Sequence, residues 1–256
     1  DSPGFRDHHT APAMGASTLM QVFGEDDVET LLDAWPRLRR LPVERDDVCI
    51  LAGLFEFRME PPGLPEISDS YHLRMEVPLE APRQLLRVFE EGGRLRHHSD
   101  EHINNDGSFC MGSPLRLQLL QLNTGNLLGF VKAVLVPFLY AASWRAQGNA
   151  GYPFQELAHF GPGLVQDYGR ILSVQGSVQV ANALWLLSLK LRNANKHLCP
   201  RGCGRRLGAC TYHRKLNSLR KHAPRALWRH ACQEFLAINP LPPHTERLER
   251  STRRRL

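Results

Sequence analysis

No window of about 18 apolar residues free of charge occurs in this 256-residue chain, so no segment reads as a membrane span. The nearest stretch, Leu127 to Ala142, is shorter and carries Lys132. The opening residues DSPGFRDHHTAPAMG lack the apolar run of a signal peptide, and they lack an initiator Met. Residues 1–13, ahead of Met14, therefore read as a disordered or appended segment outside the fold. Internal repeats are absent. Aromatic residues make up only 8% of the chain, and they do not interleave with the basic residues as they do in stacking-based RNA binders.

Cysteine is also sparse. Of the six, Cys199, Cys203 and Cys210 crowd together, while Cys49, Cys110 and Cys232 are scattered. That distribution excludes a disulfide framework and suits a metal site in a reducing, cytoplasmic setting. Hydrophobic residues make up 42% of the chain, enough for a core. Charge is divided unevenly. Lys190 to Leu256 holds 17 Lys and Arg against 3 acids (+14), and residues 1–189 hold 15 against 23 (−8), which together give the net +6. An acidic body thus carries a basic C-terminal region, which attracts acidic proteins, anionic surfaces or nucleic acid.

Periodicity predicts a helix, then strands, then helices. Asp26 and Glu29 have capping-box spacing, and Val28, Leu31, Leu32, Trp35 and Leu38 follow at helical intervals, with Pro36 able to shorten the run. Val48 to Arg58 reads as a strand with Val48, Ile50, Ala52 and Leu54 on one face, and Phe55 and Phe57 on the other. The segment EPPGLPEISDS reads as loop. Tyr71, Leu73, Met75 and Val77 alternate with polar residues up to Pro78, and a short strand includes Leu86, Val88 and Phe89. Helices are expected over Leu127–Leu139 with a kink at Pro137, over Val178–Leu191, and over Pro224–Phe235. Tyr152, Tyr168 and Cys232 read as packing residues. The order predicts an α+β fold in which an antiparallel meander packs against helices.

Between strands and helices lies RLRHHSDEHINNDGSFCMGSP, which is polar throughout except around one thiol, Cys110. Turn-forming Asn105-Asp106-Gly107 precedes it and Gly112-Ser113-Pro114 comes after, so the thiol belongs on an irregular surface segment. His97, His98 and His102, or backbone N–H groups, would favour a thiolate. Asn104 and Asn105 offer donors to an oxyanion, and Asp100 and Asp106 offer a carboxylate to an incoming amine. These are the parts that acyl transfer through a thioester needs.

This segment resembles the active-site loop of ubiquitin-conjugating enzymes, in which a His-Pro-Asn run, a Gly and a short apolar stretch lead to the nucleophile. Here the corresponding residues are His102, Asn104, Gly107, Phe109, Cys110 and Met111, with Ile103 in place of the proline. The spacing from Asn104 to Cys110 is shorter than in the eukaryotic pattern, as in the bacterial relatives of the family. The resemblance spans roughly Met14 to Leu191 and implies a ubiquitin-conjugating-like domain over residues 14–194 with Cys110 as nucleophile. It implies a structural role for His102, and an oxyanion role for Asn104 that the altered spacing could pass to Asn105. It further implies three protein partners: a ubiquitin-like modifier, an adenylating activating enzyme and an acceptor target. The bacterial relatives sit in operons serving anti-phage defence. Glu156 and His159 match a supporting Glu–His–Gly stretch in those relatives. A catalytically silent adaptor of the same fold is the alternative reading, and a zinc-dependent nucleic-acid-binding protein a third.

Residues 195–238 read as a separate zinc-knuckle and helix module. Cys199, Cys203, Cys210 and His213 form C-x3-C-x6-C-x2-H, a donor set for tetrahedral Zn²⁺. Gly202, Gly204 and Gly208 let the backbone wrap closely, and Arg201, Arg205 and Arg206 offset the thiolate charge. His197, His222 and His230 are rival ligands. The stretch CPRGCGRRLGAC is similar to the SEC-C type of knuckle. Protein docking is the first role expected of this module, with weak nucleic-acid binding through the basic tail, residues 239–256, which reads as disordered.

Overall fold

The computed structural model describes residues 23–43, 47–79, 84–95, 102–154 and 160–241, all but the Phe160 side chain. The expectations for the N-terminal segment, for the tail beyond Leu241, and for His97, His98, Asp100, Glu156 and His159 lie outside these residues. The protein is α+β, and its sheet is an antiparallel meander of four strands in sequential order.

Helix α1 spans Glu25–Ala34. Gly24, not Asp26, begins it: the Gly24 N–H donates to Asp27 Oδ2 at 3.0 Å. Three acids then fill the first turn, where the helix dipole favours negative charge. Pro36 ends the pattern earlier than its spacing suggests. The chain turns after Trp35, and Leu38, expected on the helix, instead opens strand β1, Leu38–Leu41. Strands β2, Val48–Met59, and β3, Ile67–Pro78, form a long hairpin with Met59 opposite Ile67 and Val48 opposite Pro78. Ile67 to Ser70 were expected to be loop. Pairing with β2 draws them into β3, because cross-strand partners outweigh local turn propensity. Short β4, Arg87–Glu90, completes the sheet.

One face of the sheet is buried. On β2 the buried side chains are Cys49, Leu51, Phe55 and Phe57, whereas Val48, Ile50, Ala52 and Leu54 are only partly covered. The β3 set Tyr71, Leu73, Met75 and Val77 is buried as its alternation suggests. Against this face pack α1 and a long helical stretch, Leu127–Ala146. That stretch is α3 (Leu127–Phe130), a π-helical turn (Val131–Leu135) and α4 (Val136–Ala146). The Val136 N–H reaches back five residues to the Val131 carbonyl. Pro137 has no N–H to donate and its ring crowds the carbonyl four residues earlier, so the ladder widens just before it. By length and composition this stretch could cross a membrane, yet half of it is buried within the fold.

A second core gathers α5 (Phe160–Leu172), α6 (Ser177–Ser188), α7 (Leu191–Ala194), α8 (His213–His222) and α9 (Arg225–Ile238). Trp228, Phe235 and Cys232 from α9 and Leu184 and Leu187 from α6 lie at its centre. Cys199 and Leu207 belong to the same core. The cysteine segment is therefore continuous with α5 and α6, and the expected boundary at residue 194 falls inside one packed unit. Leu241 is also buried there. Helix α2, Pro114–Thr124, is the wall between the cores: Leu117 faces the first and Leu115 the second.

Ser143 links the sheet to α4. Its hydroxyl donates to Asp69 Oδ2 at 2.7 Å and lies 2.8 Å from the hydroxyl of Tyr71, which is 1% exposed. Replacing Ser143 with Ala strands that phenol in the interior. The expected cost is about 1–3 kcal/mol, read as a lower urea midpoint with an unchanged slope.

Candidate functional site around Cys110

The residues before Cys110 form a tight hairpin. Asn104 N–H donates to Ser108 O at 2.8 Å, and Gly107 N–H donates to Asn104 O at 2.9 Å. Ile103 bridges Phe109, and Cys110 N–H closes the hairpin on His102 O at 2.7 Å. Gly107 sits at φ +82°, the left-handed position that this turn demands. His102 also takes a positive φ, +54°, and its ring stands edge-on to Tyr152 with centroids 4.5 Å apart. The hairpin continues the sheet beyond β4, through Phe109 N–H to Val88 O at 2.8 Å.

Alternation along the hairpin decides where the thiol goes. Ile103 and Phe109 point into the first core, and Phe109 stacks on Phe138 at 4.5 Å. Cys110, one residue on, emerges at the surface. Cys49 and Cys232 are buried, and burial pushes the Cys232 thiol up to about 12, so neither is reactive. The Cys110 thiol is exposed but crowded. Desolvation raises it above the ordinary range, and the Gly112 N–H, which bonds to the sulfur, only partly offsets this.

The polar residues of the loop are engaged in holding it. Asp106 accepts from Ser108 Oγ at 2.6 Å and from Ser108 N–H at 3.0 Å, and it pairs with Arg87 at 2.9 Å. Those bonds hold its carboxyl down at about 2. It is a turn-stabilising anion with little appetite for a proton near neutrality. Asn104 Nδ2 donates to Ser108 Oγ at 3.0 Å and to Phe109 O at 3.4 Å. Both residues brace the hairpin. Within hydrogen-bonding range of the sulfur, the donor is the Gly112 amide.

Sequence reasoning missed the contacts made just after Cys110. Ser113 caps α2, accepting from Arg116 N–H, and its hydroxyl donates to Asp167 on α5. Arg116 also binds the Asp167 carboxylate, which is 0% exposed. Next to it, the Tyr168 hydroxyl accepts from Leu115 N–H at 3.3 Å. The Ser-Pro start of α2 was a legible cap signal. Its partner lies 54 residues away and leaves no local trace.

A second cluster lies in the helical half. The Sγ atoms of Cys199, Cys203 and Cys210 lie within 4.8 Å of one another and could hold a metal ion. Cys203 and Cys210 are 3.4 Å apart, and Cys210 and Cys199 are 3.5 Å apart. Four thiolates at ~2.3 Å around a tetrahedral ion would be ~3.8 Å apart, so the group fits with a slight expansion. Two matching turns present the thiols. Gly202 N–H returns to Cys199 O at 3.1 Å, and His213 N–H returns to Cys210 O at 3.1 Å. Arg201 N–H and Tyr212 N–H bond the sulfurs of Cys199 and Cys210 respectively. His213 does not join the thiol group; its Nδ1 lies 2.6 Å from Cys210 O. The His197 ring stands edge-on to Trp185 at 4.6 Å, and His230 pairs with Glu234 at 3.3 Å.

Comparisons with family models, with characterised proteins and with solved structures give no match to this chain.

The raised thiol sets an expected outcome. Alkylation of Cys110 by iodoacetamide, tracked peptide by peptide by mass spectrometry, is expected to accelerate with pH up to and beyond the ordinary cysteine value of about 8.5. A plateau below neutral pH would mean that the thiolate is stabilised rather than desolvated.

Proposed function

We propose that the protein is a conjugating enzyme of the ubiquitin-conjugating-like class, in which Cys110 carries the C-terminus of a ubiquitin-like protein as a thioester. The observation that supports this most directly is an exposed thiol, apart from the metal-type cluster, at the end of a braced hairpin on the sheet edge. The loop resemblance supplies the fold name, the activating-enzyme and target partners, and a bacterial defence setting in the cytoplasm.

In the first transfer, the Cys110 sulfur attacks the carbonyl carbon of the thioester between modifier and activating enzyme. The C–S bond to the activating enzyme breaks, its thiolate leaves, and the Cys110 proton passes to that thiolate or to solvent. In the second, an acceptor nucleophile bonds to the thioester carbonyl carbon, the C–S bond to Cys110 breaks and its thiolate leaves, and the acceptor's proton passes to that thiolate or to solvent. The Gly112 N–H supports charge on the sulfur at both stages. Burial raises the thiol, which disfavours the thiolate and restrains side reactions. Chemistry of this kind asks mainly for positioning, and the stiffness of the hairpin provides it.

The resident metal of the cysteine cluster is proposed to be zinc, held by Cys199, Cys203 and Cys210. Three thiolates suit a borderline-soft ion with no redox chemistry, and it would clamp the two turns together structurally. His213, expected as the fourth ligand, instead steadies the second turn through Cys210 O.

Two outcomes are expected. In the source cell, non-reducing gels show the chain carrying a small protein that thiol reductant releases. Cys110→Ala abolishes the adduct, and Cys110→Ser replaces it with a reductant-resistant oxyester. Absence of any adduct on the unaltered chain would overturn the proposal. For the metal, native mass spectrometry is expected to find one zinc per chain. Cys203→Ser should fall to a minor fraction of that and His213→Ala should retain it, whereas full occupancy in Cys203→Ser would refute the ligand set.

A further inference from the structure

Helices α5 and α6 meet at a corner of 53°. The corner is rigid. Ser173 N–H donates to Arg170 O at 3.3 Å and Val174 N–H to Gly169 O at 3.0 Å, with Ser173 at φ +57°. These are the paired bonds of a Schellman cap. The corner and the first cysteine turn form an open cleft of about 820 Å³, lined by Arg170, Arg201, Gln166, Gln175 and Gln179 and, among the described residues, by no acid. Arg170 is exposed and makes no ion pair with a described residue. Arg201 lies over the Tyr212 ring at 5.8 Å, also without a carboxylate. Gly176, the N-cap of α6, also lines the space and supplies no side-chain cap. The chain that carries Arg201 is basic. From Lys190 to Leu241 there are twelve Lys and Arg and a single acid, Glu234, which pairs with His230.

We propose that this cleft binds the phosphodiester backbone of a nucleic acid. Guanidinium forks bind phosphate oxygens in pairs, and the glutamine amides add neutral donors. The cleft has no aromatic side chain to stack a base, so it contacts backbone and not sequence. A peptide carboxylate would match the arginines, but side chains flanking it would find only Val165 and Val174 as apolar wall. A polyanion with regularly repeated charge satisfies the two arginines of the cleft and suits the basic stretch of chain that carries Arg201.

The test is fluorescence anisotropy of a short labelled DNA duplex, and of a single-stranded RNA, titrated with the full chain at several salt concentrations. Arg170→Gln and Gln175→Glu are both at exposed positions, and their folding is checked by circular dichroism. Each is expected to weaken binding about fivefold or more, and Arg170→Gln to flatten the dependence of log affinity on log salt by about 0.9 for the duplex and about 0.7 for the single strand. Arg192→Gln, on α7 and outside the cleft, is the charge-matched control and should change affinity less. Three results would overturn the proposal: no binding of either probe, an Arg170→Gln effect no larger than that of Arg192→Gln, or competition by polyglutamate equal to that by unlabelled DNA. The last would point to an acidic protein instead.

Discussion

A buried carboxylate holds the two halves of this protein together. Asp167 on α5 is fully enclosed, yet it binds both Ser113 and Arg116 at the start of α2. Removing an anion from water costs several kcal/mol, and the guanidinium and hydroxyl offset that cost only in the assembled geometry. The pair therefore acts more as a register than as a source of stability. It fixes where α2 begins, and Cys110 lies three residues ahead of the cap. Without this contact the hairpin could still form, but its last residue would have no defined relation to the helical half.

From that joint the architecture runs in two directions. Toward the sheet, Ile103 and Phe109 anchor the hairpin into the first core, and the π-helical turn before Pro137 lets the long helix stay continuous across it. Toward the helices, α5 turns the rigid corner into α6, and α6 packs against α9 with the cysteine turns alongside. Both chemically interesting places, the thiol and the cysteine cluster, lie at the margins of these cores. A side chain there is held by ordered backbone while its tip stays within reach of a partner.

Several features were legible in the residues. Alternation located β3 and its buried face, Asn-Asp-Gly marked the hairpin turn, and the cysteine spacing marked a cluster of three thiols. Other readings failed for identifiable reasons. The helical spacing of Leu38 was coincidental once Pro36 interposed. The sequence divided β2 between two faces without choosing one, because local hydrophobicity is nearly symmetric; the buried side is that of Cys49, Leu51 and Phe55. His213 had ligand spacing but turned to a nearby carbonyl, a choice that depends on the second turn's geometry. Asp106 and Asn104 had the types needed for chemistry and are spent on bracing the loop.

The sequence by itself determined the broad order of a helix, then strands, then helices, along with the antiparallel meander, the division of charge, and the placement of one thiol in a polar turn. These arise from short-range rules: side-chain period, turn preference and local composition. Only the tertiary structure decided that the Cys110 thiol surfaces yet is raised by partial burial, that Asp167 reaches Ser113 and Arg116, and that Arg170 and Arg201 share one cleft. Each of these depends on residues far apart in the chain meeting across a core, and the free energy of such a meeting belongs to the packed interior as a whole and not to any local stretch of sequence.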